Sequence, residues 1–207
     1  MLLPAVSGID EATVAPDETC WQPQVRAAYT VEERMTTKSL SPVNASRNTR
    51  KTAYAVVLVA IGVALAPYTA FPIGIAKVNP TQHFINVLAA VLLGPWWAVL
   101  TAMVIGILRN ALGLGTLLAF PGGMIGACLA GLAFRVVRRT WTAAAGEIFG
   151  TGLIAQVVSA FFVAPVLMGK PIPLFALVPS FACSTAVGAL LGILALKLLR
   201  RSGGIDF

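Results

Sequence analysis

The sequence predicts an all-α integral membrane protein with six transmembrane helices and both termini in the cytoplasm. Three observations carry this. The 207 residues are 57% hydrophobic and only 11% charged, and mean hydropathy is +0.84, far more apolar than a soluble domain of this size needs. The apolar residues come in long runs broken by Gly and Pro, the pattern of helices rather than of a barrel's short alternating strands. The cations are unevenly placed. Arg47, Arg50, Lys51, Arg135, Arg138, Arg139, Lys197, Arg200 and Arg201 flank one set of run ends, and only Lys77, Arg109 and Lys170 flank the other. The positive-inside rule puts the first set, and both termini, in the cytoplasm.

Residues 1–51 differ from the rest. They hold six of the eight acids, Asp10, Glu11, Asp17, Glu18, Glu32 and Glu33, and no long apolar run. They read as a disordered cytoplasmic leader, with Met35 as a candidate true start. Residues 52–200 form the membrane domain, and 201–207 a cytoplasmic tail.

The first span is expected over 52–66, stopped by Pro67 and Pro72. It carries two small-xxx-small pairs, Ala60/Ala64 and Gly62/Ala66, either of which would let another helix approach closely. A 67–81 loop with three prolines reads as an outer lid hinged at Gly74. The second span, 81–93, is short and ends at Gly94-Pro95, with Trp96 and Trp97 at the interface. The third covers 97–112 and turns at Gly113-Leu-Gly115. The fourth covers 116–134, broken early by Pro121-Gly122-Gly123. The fifth covers 148–167, which leaves Glu147 at the cytoplasmic edge, and the sixth covers 174–196. Three GxxxG pairs (Gly122/Gly126, Gly146/Gly150, Gly188/Gly192) are expected by chance among nineteen glycines.

The polar residues inside these runs are the candidates for chemistry, because polar groups at that depth are costly unless they face a cavity or a partner. His83, the only histidine, and Asn86 fall on one face of the second span with Asn79. Arg109 and Asn110 end the third span. Gln156 and Ser159 lie in the fifth, and Ser180, Ser184 and Thr185 in the sixth. Lys77 sits on the loop above. Together they suit a small-molecule pocket open to the outside. The alternatives are interfacial snorkelling for Arg109 and interhelical hydrogen bonding for the others.

Absences narrow the field. No GxxxxGK[ST] motif is present, so no P-loop ATP site exists. Cys20, Cys128 and Cys183 lack metal-ligand spacing. Glu147 is the only acid between residues 52 and 205, which argues against a self-sufficient ion-coupled transporter. A catalytic role for a lone His83, with no acid near it in sequence, has little support.

The stretches from Ile75 to Trp96 (containing Gln82-His83-Phe-Ile-Asn86), Leu108-Arg109-Asn110 and Leu118 to Ala127 (containing Phe120-Pro121-Gly122) resemble the ThiW family, over about residues 52–200. Those are substrate-binding S components of energy-coupling-factor (ECF) vitamin transporters. The resemblance implies the six-helix S-component fold and no enzymatic activity. It implies the thiazole part of thiamin, hydroxyethylthiazole, as ligand; the residues read above as the pocket, His83, Asn86, Arg109, Asn110, Gln156 and Lys77, are then its expected contacts. The implied partners are a transmembrane T component, docked on Ala60 and Ala64, and two ATPase subunits. The chain would then need no cofactor or metal, because ATP is used by the ATPases. Other readings are an S component for a pyrimidine precursor or intact thiamin, and a ligand-free membrane scaffold. Cationic thiamin fits poorly with Arg109 and Lys77.

Overall fold

The structure, a computed structural model, describes residues 42–73 and 76–203. The chain divides into two units, Met1–Ser46 and Arg47–Phe207, and all that follows on the site concerns the second. The helices of the described residues are α1 (Pro42–Thr69), α2 (Pro80–Leu92), α3 (Pro95–Ala111) and α4 (Ala119–Val137). A long fifth helix, α5 (Thr140–Leu167), and α6 (Leu174–Arg201) complete them. α1, α4, α5 and α6 are long and apolar enough to cross a membrane.

The short helix α2 is not a lipid-facing span but the centre of the bundle. Eleven of its thirteen residues are buried, with α3, α4, α5 and α6 packed around it. A helix buried on all sides and too short to cross hydrocarbon belongs in a core, and its polar first half (Thr81, Gln82, His83, Asn86) is buried against partners rather than lipid. Its ends follow from local chemistry. Pro80 takes the first helical position, where its missing N–H is not needed. Gly94, at φ 91°, supplies the left-handed turn into Pro95, the first residue of α3.

The glycine pairs are the contacts that draw the helices together. A Cβ at Gly146 or Gly150 would meet α4 backbone at 2.5 Å and 2.9 Å, so both pin α5 against α4. On α6, a Cβ at Gly188 would strike the Pro80 carbonyl and lie 2.6 Å from His83 Cβ, and one at Gly192 would lie 2.8 Å from Val87 Cβ. These spacings are therefore used, contrary to the expectation of chance; in lipid, close backbone approach is a main source of helix association.

Several expected boundaries move. Helix already begins at Pro42, inside the stretch expected to be disordered, and α1 runs two residues past Pro67. Proline so near a helix end removes only one hydrogen bond, the one its N–H would have made to the Val63 carbonyl, and Thr69 Oγ1 adds a bond to the Leu65 carbonyl at 3.0 Å in the last turn. Pro121 does not break α4, because it falls in the first turn. The start at Met35 and the hinge at Gly74 lie outside the described residues.

The 67–81 segment is not a free lid where it is described. Phe71–Ile73 (β1) pairs antiparallel with Ala76–Val78 (β2), and Val78 is buried. The hairpin is tied to α6, where Ser180 Oγ donates to the Ile73 carbonyl at 2.6 Å and Ser184 Oγ accepts from Asn79 N–H at 3.1 Å.

The largest shift is in α5. It begins at Thr140, not 148, because Arg138 adopts a left-handed conformation and closes α4 in a two-residue turn. Two stretches, Gly150–Ala155 and Ser159–Leu167, widen to π-helical turns, a local change that re-aims side chains. Glu147 thus lies two turns inside the helix and is completely buried, not at the cytoplasmic edge.

Candidate functional site

A small cavity of about 30 Å³ lies where α2, α4 and α6 begin and α3 ends. Its polar wall is built by Asn79, Gln82 and His83 of the α2 start, Arg109, Thr116, and Ser180 and Ser184 of α6. Leu118, Ala119 and Phe181 form the apolar wall, continuous with a cluster of buried Ala160, Val163, Ala164 and Leu177. A lining that combines apolar side chains with several polar groups suits a small ligand with an apolar body and a polar arm.

The floor beneath His83 is a hydrogen-bonded cluster centred on Glu147. His83 Nδ1 lies 2.7 Å from Glu147 Oε1, and Asn86 Nδ2 donates to the same oxygen at 3.0 Å and to the Gly123 carbonyl at 3.1 Å. Thr151 Oγ1 lies 3.1 Å from that oxygen and 2.9 Å from the Gly122 carbonyl, so its single hydrogen serves one of them at a time. The cluster closes Nδ1 and leaves Nε2 as the ring nitrogen available to the cavity. Gly126 makes room for the carboxylate, since a Cβ there would sit 2.7 Å from both its oxygens.

Arg109 is 3% exposed. Its Nη1 donates to Gln82 Oε1, and Nη2 makes a long 3.5 Å contact to the Leu114 carbonyl. Nε has no partner. Leu114 and Gly115 N–H both return to the Arg109 carbonyl, at 2.9 Å and 3.1 Å, so the turn after α3 is folded about this residue.

The expected site residues separate. His83 and Arg109 line the cavity. Asn86 does not: it is buried behind His83 and holds Glu147. Asn110 turns back on its own helix, donating to the Gly106 carbonyl at 2.9 Å. Gln156 is buried away from the lining with Oε1 unpartnered. Lys77 lies on β2, its side chain outside the described residues. Ser180 and Ser184 line the wall, whereas Ser159 donates to the Leu118 carbonyl at 2.9 Å and Thr185 to its own helix. Sequence reasoning passed over Gln82, Thr116 and Phe181 as site residues. It also set Glu147 aside, although a lone acid in an apolar chain was itself a signal.

Ala60 and Ala64 are exposed on α1 and line an apolar groove with Trp97, Leu100 and Val104 of α3. Gly62 and Ala66, on the opposite face, are buried, Gly62 against Ile105 and Ile85.

No curated protein matches the chain. Among solved structures, it resembles one described as "Structure and mechanism of the S component of a bacterial ECF transporter". The TM-score is 0.63 at 17% identity, over 74% of this chain and 97% of that one, so the likeness is one of fold. The family model for "Thiamine-precursor transporter protein (ThiW)" matches residues 52–202. That match takes in the cavity, its Glu147 floor and the outward face of α1, and the chain is accordingly no enzyme but a multi-pass membrane protein belonging to the ThiW family of thiamine-precursor transporters.

Proposed function

We propose that this chain is the substrate-binding S component of an ECF-type, ATP-driven importer in the cell membrane, and that its cargo is the thiazole half of thiamin, hydroxyethylthiazole. In this reading all six helices lie in the membrane domain, both termini face the cytoplasm, and the cavity opens outward. The observation that carries it is the cavity's mixed lining. Phe181 and Leu118 offer an apolar face to a ring, while His83 Nε2 and the Ser184 hydroxyl offer a hydroxyl arm both donor and acceptor. His83 and Arg109 are the direct ligand contacts. Asn86 acts through Glu147, and Gln156, Asn110 and Lys77 support the surrounding helices and hairpin.

The energy comes from elsewhere. A T component docks against α1 along the groove at Ala60 and Ala64, and two ATPase subunits bind and hydrolyse ATP. α1 suits that role because it is the least enclosed of the four long helices: 17% of its apolar window is buried, against 33%, 39% and 44% in the others. The test is titration of the purified full-length protein with hydroxyethylthiazole, the pyrimidine alcohol and thiamin. Tightest binding by the thiazole supports the reading. Tightest binding by thiamin or the pyrimidine overturns the thiazole assignment, and no binding by any overturns the transporter role.

A further inference from the structure

Glu147 is the only acid among the described residues, and it is bonded to His83. Among the described residues Arg109 therefore has no carboxylate to neutralise it, although it is almost fully buried. A buried, unpaired guanidinium is strongly destabilising, and such charges are kept where they meet a ligand or a partner. Its position in the last turn of α3 offsets part of that cost through the helix dipole. The remainder has a specific geometry. Nη1 is taken by Gln82, whereas Nε is free and Nη2 has only the long contact to Leu114. Nε and Nη2 together are one edge of the guanidinium fork, spaced to bind two oxygens of one planar or tetrahedral oxyanion.

Other donors share the cavity. Asn79 is 5% exposed, and its Nδ2 is buried without a partner. The Ser184 hydroxyl accepts from Asn79 N–H, and its own hydrogen is free to donate. Thr116 lines the same space. No carboxylate lines it.

We propose that the site prefers an oxyanion form of the cargo: a small heteroaromatic ring whose side arm ends in a phosphate or carboxylate, clamped by the Nε/Nη2 edge of Arg109, with the free alcohol a weaker ligand of the same site. This rests on the transporter reading above but not on the identity of the ring. The experiment uses the full-length protein in lipid nanodiscs and calorimetric titration. The probes are hydroxyethylthiazole, its phosphate ester and the matching thiazole acetic acid, together with the pyrimidine alcohol and its phosphate ester. In the wild type the anionic member of the ring series that binds should bind at least about tenfold tighter than its alcohol. In Arg109→Gln that ratio should collapse to about one, and in Arg109→Lys, which keeps the charge but loses the fork, it should fall to an intermediate value. Preference for phosphate ester or acetic acid identifies the oxyanion. A wild-type alcohol that binds as tightly as its anions overturns the proposal, as does an unchanged ratio in Arg109→Lys should Arg109→Gln fail to fold. If the pyrimidine series binds and the thiazole series does not, the thiazole assignment fails and the oxyanion is judged on the pyrimidine pair. If no probe binds, both readings fall.

Discussion

Removing the Glu147 carboxylate should uncouple the cavity floor from the bundle. Glu147→Ala strands two buried donors, His83 Nδ1–H and one Asn86 amide hydrogen, while Thr151 falls back on the Gly122 carbonyl 2.9 Å away. A stranded buried donor costs roughly 1–3 kcal/mol, giving about 2–6 kcal/mol for the two. Interhelical hydrogen bonds in membrane proteins average nearer about 0.6 kcal/mol, because the partly unfolded state in lipid finds other partners. We expect a loss of about 2–4 kcal/mol for Glu147→Ala. Glu147→Gln keeps an acceptor where Oε1 stands but puts its NH2 where Oε2 has no partner, so it retains the His83 and Asn86 bonds while stranding a donor of its own, and should lose about 1–3 kcal/mol. The assay is equilibrium unfolding in mixed micelles, paired with ligand titration. The alanine variant should also bind ligand at least about fivefold more weakly, because His83 is no longer held in one orientation. Alanine and glutamine variants that unfold together with the wild type, and bind ligand equally well, would refute the role given to the cluster.

His83→Ala should weaken binding by at least about fivefold with the fold intact, since it removes a direct cavity contact. Asn86→Ala should instead lower stability at least as much as affinity, because Asn86 reaches the ligand only through Glu147; equal stability to wild type in micelle unfolding would return it to the list of direct contacts. Gly188→Ala should destabilise strongly, because the methyl group meets the Pro80 carbonyl and His83 Cβ, whereas Gly152→Ala meets only Thr185 Oγ1 at 3.7 Å and should be tolerated; unfolding midpoints compare the two. Ala60→Trp with Ala64→Trp should abolish co-purification with the T component and leave ligand affinity within about twofold, since both face away from the cavity; retained co-purification would place docking elsewhere.

Composition and hydrophobic runs by themselves determined that this is a helical membrane protein. The short-range signals were also legible, because they depend on neighbours in the chain: Gly94-Pro95 ends one helix and begins the next, and Gly113 turns the chain after α3. The polar residues His83 and Arg109 marked the cavity because hydrocarbon makes such groups expensive wherever they occur. Periodicity could not tell a lipid-facing span from a core helix, so α2 read as a short span. Only packing on all sides shows why thirteen residues suffice. Nor could spacing choose between Ala60/Ala64 and Gly62/Ala66, which are equivalent patterns on opposite faces until Ile85 and Ile105 cover one of them. The partner of His83 was the hardest to see, since Glu147 lies 64 residues away. The two meet because Gly126 and Gly150 let α5 press against α4 and Gly188 lets α6 press against α2. A charge's partner is set by which backbones can approach, and that is a property of the assembled helices, not of any one of them.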